Sequence, residues 1–320
     1  MQYIVGIDVG GMSAKSGLFS LEGELLCQAC VKTNASDGFD KTVSNVAALV
    51  KELAQKANIA FSDVAAIGAG VPGVVNSQSG VVLRWSNFAW DNVPFAERLS
   101  ALTGKPVYIA NDANVAALGE ARFGATSQYQ SSILLTLGTG IGGGMVFDGK
   151  LLEGYQSAGA ELGHITIREG GLSCACGRKG CYEKYASATA LVRQTRHAMV
   201  ENLQSGMWKL VDGKIQNVDG KTAFTAARQG DETAKKVIEQ FVDYVAEGIA
   251  DFVNILRPEA FVLGGGIANE GEEFFEPLRK AVDKRTYIAM DIVPLKIVGA
   301  KLGNKAGIYG AYSIAKDKII

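Results

Sequence analysis

One arrangement occurs twice in this sequence: an apolar run, a glycine turn and a second apolar run. Residues 3–7 lead through Asp8-Val9-Gly10-Gly11 into 15–19, and residues 132–137 lead through Gly138-Thr139-Gly140 into 142–147. Short apolar runs bounded by glycine read as buried strands joined in hairpins. After the first hairpin the pattern predicts a strand at 25–31, a helix carrying Val43, Val46, Ala47, Val50, Leu53 and Ala54, and a strand at 64–69. A helix capped by Asn92 and running to Leu102, a strand at 107–110 and a helix opening at Asp112 follow. After the second hairpin, Asp148-Gly149 turns into a strand at 150–152, and a long helix over 231–257 stops at Pro258. A strand at 261–263 then runs into Gly264-Gly265-Gly266, followed by a helix at 274–282, a strand at 292–298 and a helix from 305 to 315. Alternating helices and strands behind a repeated hairpin predict two related α/β lobes facing one cleft.

Composition narrows the function. Lys and Arg number 32 against 33 Asp and Glu, a formal net charge of −1, so no basic field draws the chain to nucleic acid or an anionic membrane. Glycine is in excess at 39 of 320 residues while proline is scarce at six, which suggests tight turns and backbone approached by ligands. The start of the chain has no positive segment and meets Asp8 before any signal-like apolar stretch is complete, so export is not expected. The uncharged span 125–147 holds Gln, Ser, Thr, Tyr and five glycines and does not read as a membrane helix. Five cysteines, three of them clustered, point to a metal site in a reducing compartment, and hence to the cytoplasm.

The glycine turns are the first candidate site. Asp8 followed by Gly10, Gly11 and Ser13 offers backbone N–H groups to phosphate oxygens and a carboxylate to Mg²⁺, usually through water. The same residues also suit an ordinary hairpin turn. Gly138-Thr139-Gly140 and Gly264-Gly265-Gly266 carry the same two readings, but three such turns, each at the end of an apolar strand, together fit a nucleotide held between two lobes. None has the spacing of a P-loop or of a dinucleotide-binding turn.

His164, Cys174, Cys176 and Cys181 supply one imidazole and three thiolates, with Gly177 and Gly180 in the last loop. That set predicts a tetrahedral, four-ligand and therefore structural Zn²⁺. Closing such a loop draws Glu161 and Glu183 toward one place, where two carboxylates and the free imidazole nitrogen suit a polyhydroxylated ligand; solvated surface charges are the alternative. Cys27 and Cys30 fall in a strand, where residues three apart face opposite sides, and read as ordinary strand cysteines. His197 lies in a helical stretch beside Arg193 and Arg196 and reads as a surface residue. Asn111-Asp112 directly follows a strand, the place where α/β sheets bind ligands. Asp112 there is either a base that accepts a hydroxyl proton, with Asn111 orienting the same molecule, or a helix N-cap.

With these residues assembled, the chain resembles the ROK family of sugar kinases and repressors. The resemblance rests on Asp8-x-Gly10-Gly11, Val71-Pro72-Gly73, Asn111-Asp112-Ala113-Asn114, Gly138-Thr139-Gly140-Ile141-Gly142, Glu161-x-x-His164, Cys174-x-Cys176-Gly177-x-x-Gly180-Cys181 and Glu183, and spans essentially the whole chain. It implies an actin-like (ribonuclease H-like) ATPase fold with a small lobe over 1–111 and 303–320 and a large lobe over 112–302, closing around ATP, Mg²⁺ and a hexose. By position it implies Asp112 as the base, Asn87, Asn111, Glu161, His164 and Glu183 as sugar ligands, Gly73 as a shaper of their pocket, and a homodimer. Asn87-Phe88-Ala89-Trp90 followed by Val93-Pro94 looks most like the glucokinase branch, implying transfer to the glucose 6-hydroxyl. The alternatives are a kinase for N-acetylmannosamine, N-acetylglucosamine, mannose, fructose or a β-glucoside, and a sugar-responsive regulator without its DNA-binding segment. An ATP-driven switch of the actin or chaperone kind would explain the glycine turns but not Glu161, His164 and Glu183. The sequence departs from the family at Met12, where a Thr usually follows the paired glycines, with Ser13 next.

Overall fold

A computed structural model describes residues 2–33, 35–85 and 90–319. Contacts divide the chain into two compact units, Met1–Leu134 with Gly144–Ala160 and Lys301–Ile320, and Leu135–Gly143 with Glu161–Ala300.

In the first unit β1 (Tyr3–Val9), β2 (Ser13–Ser20) and β3 (Leu25–Lys32) form an antiparallel meander. Asp8 pairs with Lys15, so β1 runs one residue past the carboxylate where apolarity alone ends it. Helix α1 (Phe39–Lys56) leads to β4 (Val64–Val71), which lies parallel to β1, and β8 (Val107–Asn111) lies parallel to β4. The sheet order is β3-β2-β1-β4-β8. Strand β3 alternates half-buried and exposed residues, as an edge strand with one wet face does, whereas β4 is buried almost throughout. One face of the sheet packs on Val43, Val46, Val50 and Leu53 of α1.

Between β4 and β8 a small sheet forms from β5 (Val74–Asn76), β6 (Val81–Trp85) and β7 (Trp90–Val93), in that order, with Trp85 paired to Trp90. The helix expected from Asn92 therefore starts later, as α2 (Phe95–Thr103). Asn92 instead sits in β7 with φ 54°, a left-handed conformation its short amide tolerates. Helix α3 (Asp112–Phe123) follows β8 directly. The last helix, α10 (Ala306–Ile319), packs on α3, β1 and β4. Gly310 permits that approach, because a methyl there would fall on the Val115 carbonyl. This packing holds α3 in the first unit, so the division by contacts differs from a boundary drawn after Asn111.

The second sheet contains β9 (Ser131–Leu137), β10 (Ile141–Phe147), β11 (Lys150–Leu151), β12 (Ala260–Gly264) and β13 (Lys296–Gly299), ordered β11-β10-β9-β12-β13. Its order repeats that of the first: three strands of a meander and then two reached by crossovers. Strand β13 is shorter than the apolar pattern over 292–298 predicts. Arg257 takes up the carbonyls of Ile288, Ala289 and Val293, so the backbone before β13 is committed elsewhere.

In the second unit α8 (Glu232–Leu256) begins at Asp231, whose carboxylate accepts from the Ala234 N–H at 2.8 Å, and ends at Arg257 in left-handed conformation. Around it pack α4 (Glu183–Ala186), α5 (Ala188–Glu201), α7 (Thr222–Arg228) and α9 (Glu272–Asp283), with α6 (Met207–Leu210) against α7. His197 lies exposed on α5 and pairs with Glu201 at 3.2 Å. No helix among the described residues is long and apolar enough to cross a membrane.

Candidate active site

Three parallel strands of the first unit end along one edge, where Asp8 pairs with Gly70 and Val71 with Asn111. The hairpin of Asp8 is a tight turn, with the Gly10 N–H donating to Ser13 O at 2.9 Å. Thr33, fully buried, secures it by donating its hydroxyl to Gly11 O at 2.8 Å and its N–H to Met12 O at 3.2 Å. Sequence reading missed Thr33, because only the register of β2 on β3 places it beside the loop. Met12 is 88% exposed, so its thioether takes no part in holding the turn.

At the end of β8, Asn111 is the helix cap: its Oδ1 accepts from the N–H groups of Ala113 and Asn114 at 2.9 and 3.2 Å. Its Nδ2 donates to Gly73 O at 3.0 Å, fixing the turn at Gly73, whose φ of 94° suits glycine. The capping role weighed for Asp112 thus falls to Asn111. Asp112 Oδ1 accepts the neighbouring Ala113 N–H at 2.9 Å, and its own N–H and the Asn111 side chain also hydrogen-bond the carboxylate. Burial raises the Asp112 carboxyl above its ordinary range, with the Ala113 amide opposing. Burial also raises Asp8, the Asp112 charge raises it further, and Lys15 opposes. Two carboxylates at one sheet edge, both biased toward the proton, are a setting in which a cation is welcome and a base is strengthened. Asn87 lies outside the described residues.

The second unit holds the other candidates. His164, Cys174, Cys176 and Cys181 bring their ligand atoms within 4.8 Å of one another. Cys174 Sγ lies 3.7 Å from His164 Nδ1, and Cys176 Sγ 3.5 Å from Cys181 Sγ. Ligands about 2.3 Å from a tetrahedral zinc sit about 3.8 Å apart, so donor set and spacing both fit that ion. Gly177 and Gly180, with φ of 89° and 81°, close the loop, and Cys174 N–H donates to Arg178 O at 2.9 Å. The Arg178 guanidinium reaches back to His164 O at 3.0 Å and Thr166 Oγ1 at 2.8 Å. Burial pushes the Cys174 thiol up to about 12 and raises Cys181, while the Arg178 N–H lowers Cys176. A cation would displace these protons as it binds.

Glu183 joins this cluster to a glycine turn. Cys174 Sγ donates to its Oε1 at 3.1 Å, and a methyl on Gly140 would fall on its Oε2. Tyr182 anchors the carboxylate from behind: it is fully buried and donates its hydroxyl to Val245 O of α8 at 2.8 Å. His164 is held near the same turn, because Gly163 lies against the Ile141 carbonyl and His164 N–H donates to Glu161 O at 3.0 Å. Glu161 itself is exposed. The Gly138 carbonyl accepts from Ala188 N–H at 2.9 Å, setting the start of α5 beside the turn containing Thr139. Gly265, at φ 97°, packs on the Leu137 carbonyl, so the Gly264–Gly266 turn lies next to Gly138. Two of the three glycine turns, the metal-ligand cluster and Glu183 therefore share the second unit. Asp8, Gly73, Asn111 and Asp112 share the first.

Two sheets of one strand order, with glycine turns and carboxylates at their strand ends, define an α/β protein of the actin-like ATPase fold. The chain belongs to the ROK family, which it matches over residues 4–318. It is 39% identical over 319 residues to a glucokinase of Thermotoga maritima, covering 99% of this chain and 98% of that protein. Among solved structures it resembles a ROK family glucokinase from Streptomyces griseus in complex with glucose and AMPPNP, with TM-score 0.80 and 34% identity over 98% of this chain and 99% of that one. It also resembles a ROK hexokinase from Thermus thermophilus, with TM-score 0.83 and 33% identity over 99% of both chains.

Proposed function

We propose that this protein is an ATP-dependent glucokinase that phosphorylates glucose at its 6-hydroxyl. The choice of glucose rests on near full-length similarity to glucokinases, one of them bound to glucose and AMPPNP. The site assignment is carried by one observation: Glu183 is tied to Cys174 of the metal-ligand cluster while resting on Gly140. A carboxylate so fixed accepts hydroxyl hydrogen bonds beside a turn suited to phosphate.

In this reading Glu161, Glu183, Asn111, Asn87 and the free nitrogen of His164 bind the sugar hydroxyls, and Gly73 leaves room for the ring. Asp112 takes the proton of the 6-hydroxyl as its oxygen bonds to the γ-phosphorus and the bond to the β-phosphate oxygen breaks, releasing ADP. Its raised pKa suits that task, since a base stronger than an ordinary carboxylate removes a hydroxyl proton more readily. Gly10, Gly11, Ser13, Gly138, Thr139, Gly140 and Gly264–Gly266 contact the nucleotide. Asp8 holds Mg²⁺, which supplies positive charge at the phosphates. His164, Cys174, Cys176 and Cys181 hold zinc, which supplies rigidity to the loop carrying Glu183. Four protein ligands would complete a tetrahedral shell around zinc, and the chemistry would fall to Asp112 and the phosphate loops.

The enzyme acts as a homodimer in the cytoplasm; the five free cysteines fit a reducing compartment. An ADP-release assay over a panel of hexoses tests the proposal. Glucose should give the highest kcat/KM. A higher value for an N-acetylated hexosamine, mannose or fructose would reassign the substrate, and no ADP release with any hexose would remove the kinase reading.

A further inference from the structure

Four polar side chains outside the proposed sugar and nucleotide contacts form a network that reaches the helical turn carrying Asp112. Asn114, 3% exposed and two residues on from Asp112 in the first turn of α3, donates its Nδ2 to Glu153 Oε1 at 3.3 Å. Ser77, just past β5, donates its hydroxyl to Glu153 Oε2 at 3.1 Å. Ser157 Oγ lies 2.6 Å from Ser77 Oγ and accepts the Ser77 N–H at 3.3 Å. Both serine hydroxyls find acceptors within the network, because Ser157 also reaches Glu153, which when ionised only accepts.

The network duplicates a link already described. Asn111 joins the first turn of α3 to Gly73 at the near end of the β5 segment, and Glu153 joins the same turn to Ser77 at its far end. The turn carrying Asp112 is thus clamped at both ends of one short segment. The Glu153 strap is itself strained: Gln156, Ser157 and Ala160 have φ of 51°, 57° and 62°. Left-handed non-glycine residues persist where surrounding contacts over-determine them, and here the contacts of Glu153 and Ser157 do so.

We propose that Glu153 is a positioning residue for Asp112, holding the first turn of α3 through Asn114. The inference rests on Asp112 being the base of the proposed reaction. A leucine at 153 leaves the buried Asn114 amide and the Ser77 hydroxyl without their acceptor, whereas a glutamine keeps an acceptor for Asn114.

The test measures steady-state kinetics of Glu153→Leu and Glu153→Gln, together with hydrogen exchange of residues 112–115. In E153L kcat should fall on the order of tenfold, the scale of one lost buried hydrogen bond. The KM for ATP should stay at its wild-type value, and E153Q should recover most of the loss. Exchange over 112–115 should accelerate in E153L and not in E153Q. A lowered melting temperature with unchanged kcat and unchanged exchange would overturn the inference by reducing Glu153 to a structural residue. If E153L does not fold, Ser77→Ala carries the same expectation in smaller degree, and unchanged kcat and exchange there overturn it. Exchange requires no substrate, so it decides the clamp even if the wild type proves inactive toward glucose, an outcome that would count against the glucokinase reading alone.

Discussion

At the scale of single residues, Asp112 carries the chemistry and also burdens the fold. Its carboxyl is raised by burial, so the folded state favours the protonated form more than the unfolded chain does. A group raised in this way contributes stability that is full below the unfolded carboxyl value and lost as pH rises through the folded one. Ionising this carboxylate therefore costs the native state stability. Asp112→Asn keeps the oxygen that accepts the Ala113 N–H and removes the charge, so its melting temperature at pH 7 should exceed that of the wild type. Its turnover should fall at least about a hundredfold, the scale of a general base, with glucose affinity near normal. Comparable turnover in the variant would take Asp112 out of the role of base. In the wild type the acid limb of kcat/KM should lie above the ordinary carboxylate range near 4, and it should be missing from the residual activity of the variant. The sequence made Asp112 legible as a residue at a strand end, but not as distinct from an N-cap. That distinction required seeing Asn111 take the cap.

At the scale of elements, the metal-ligand loop and the glycine turn act as one support for Glu183. Cys176→Ser should lose zinc, measured by metal content, and weaken glucose binding, measured calorimetrically, through displaced His164 and Glu183. A metal-free variant with full glucose affinity would break the link between loop and sugar. Gly140→Ala places a methyl on the Glu183 carboxylate and should raise the KM for glucose while leaving zinc content intact. An unchanged KM would show that Glu183 is not held there in solution. The ligand spacing was legible because His164 and the three cysteines are close in sequence and have few other uses. The tie from Cys174 to Glu183 was not, since it depends on Tyr182 being buried under α8. Element boundaries failed where local chemistry was overruled by pairing: Asn92 suits a cap, yet the pairing of Trp85 with Trp90 draws its segment into a strand. The short helices α6 and α7 carry too few turns for a clear apolar period.

At the scale of the whole molecule, the repeated hairpin foretold a repeated sheet, and the two strand orders bear this out. A hairpin is legible because its turn and alternation are local, whereas the packing of α10 on α3, which keeps residues 112–134 with the first unit, joins segments far apart in sequence. The proposed dimer predicts a sedimentation mass twice that of the 33.8 kDa chain, and a monomer at micromolar concentration would contradict it. The proposed reaction requires one sugar to meet Asp112, Glu161 and Glu183. A crystal structure of the protein with glucose and a non-hydrolysable ATP analogue tests this most directly. Asp112 should lie within hydrogen-bond distance of the glucose 6-hydroxyl, with Glu161 and Glu183 on other hydroxyls of the same ring. Glucose bound with Asp112 facing elsewhere, or held without either glutamate, would contradict it.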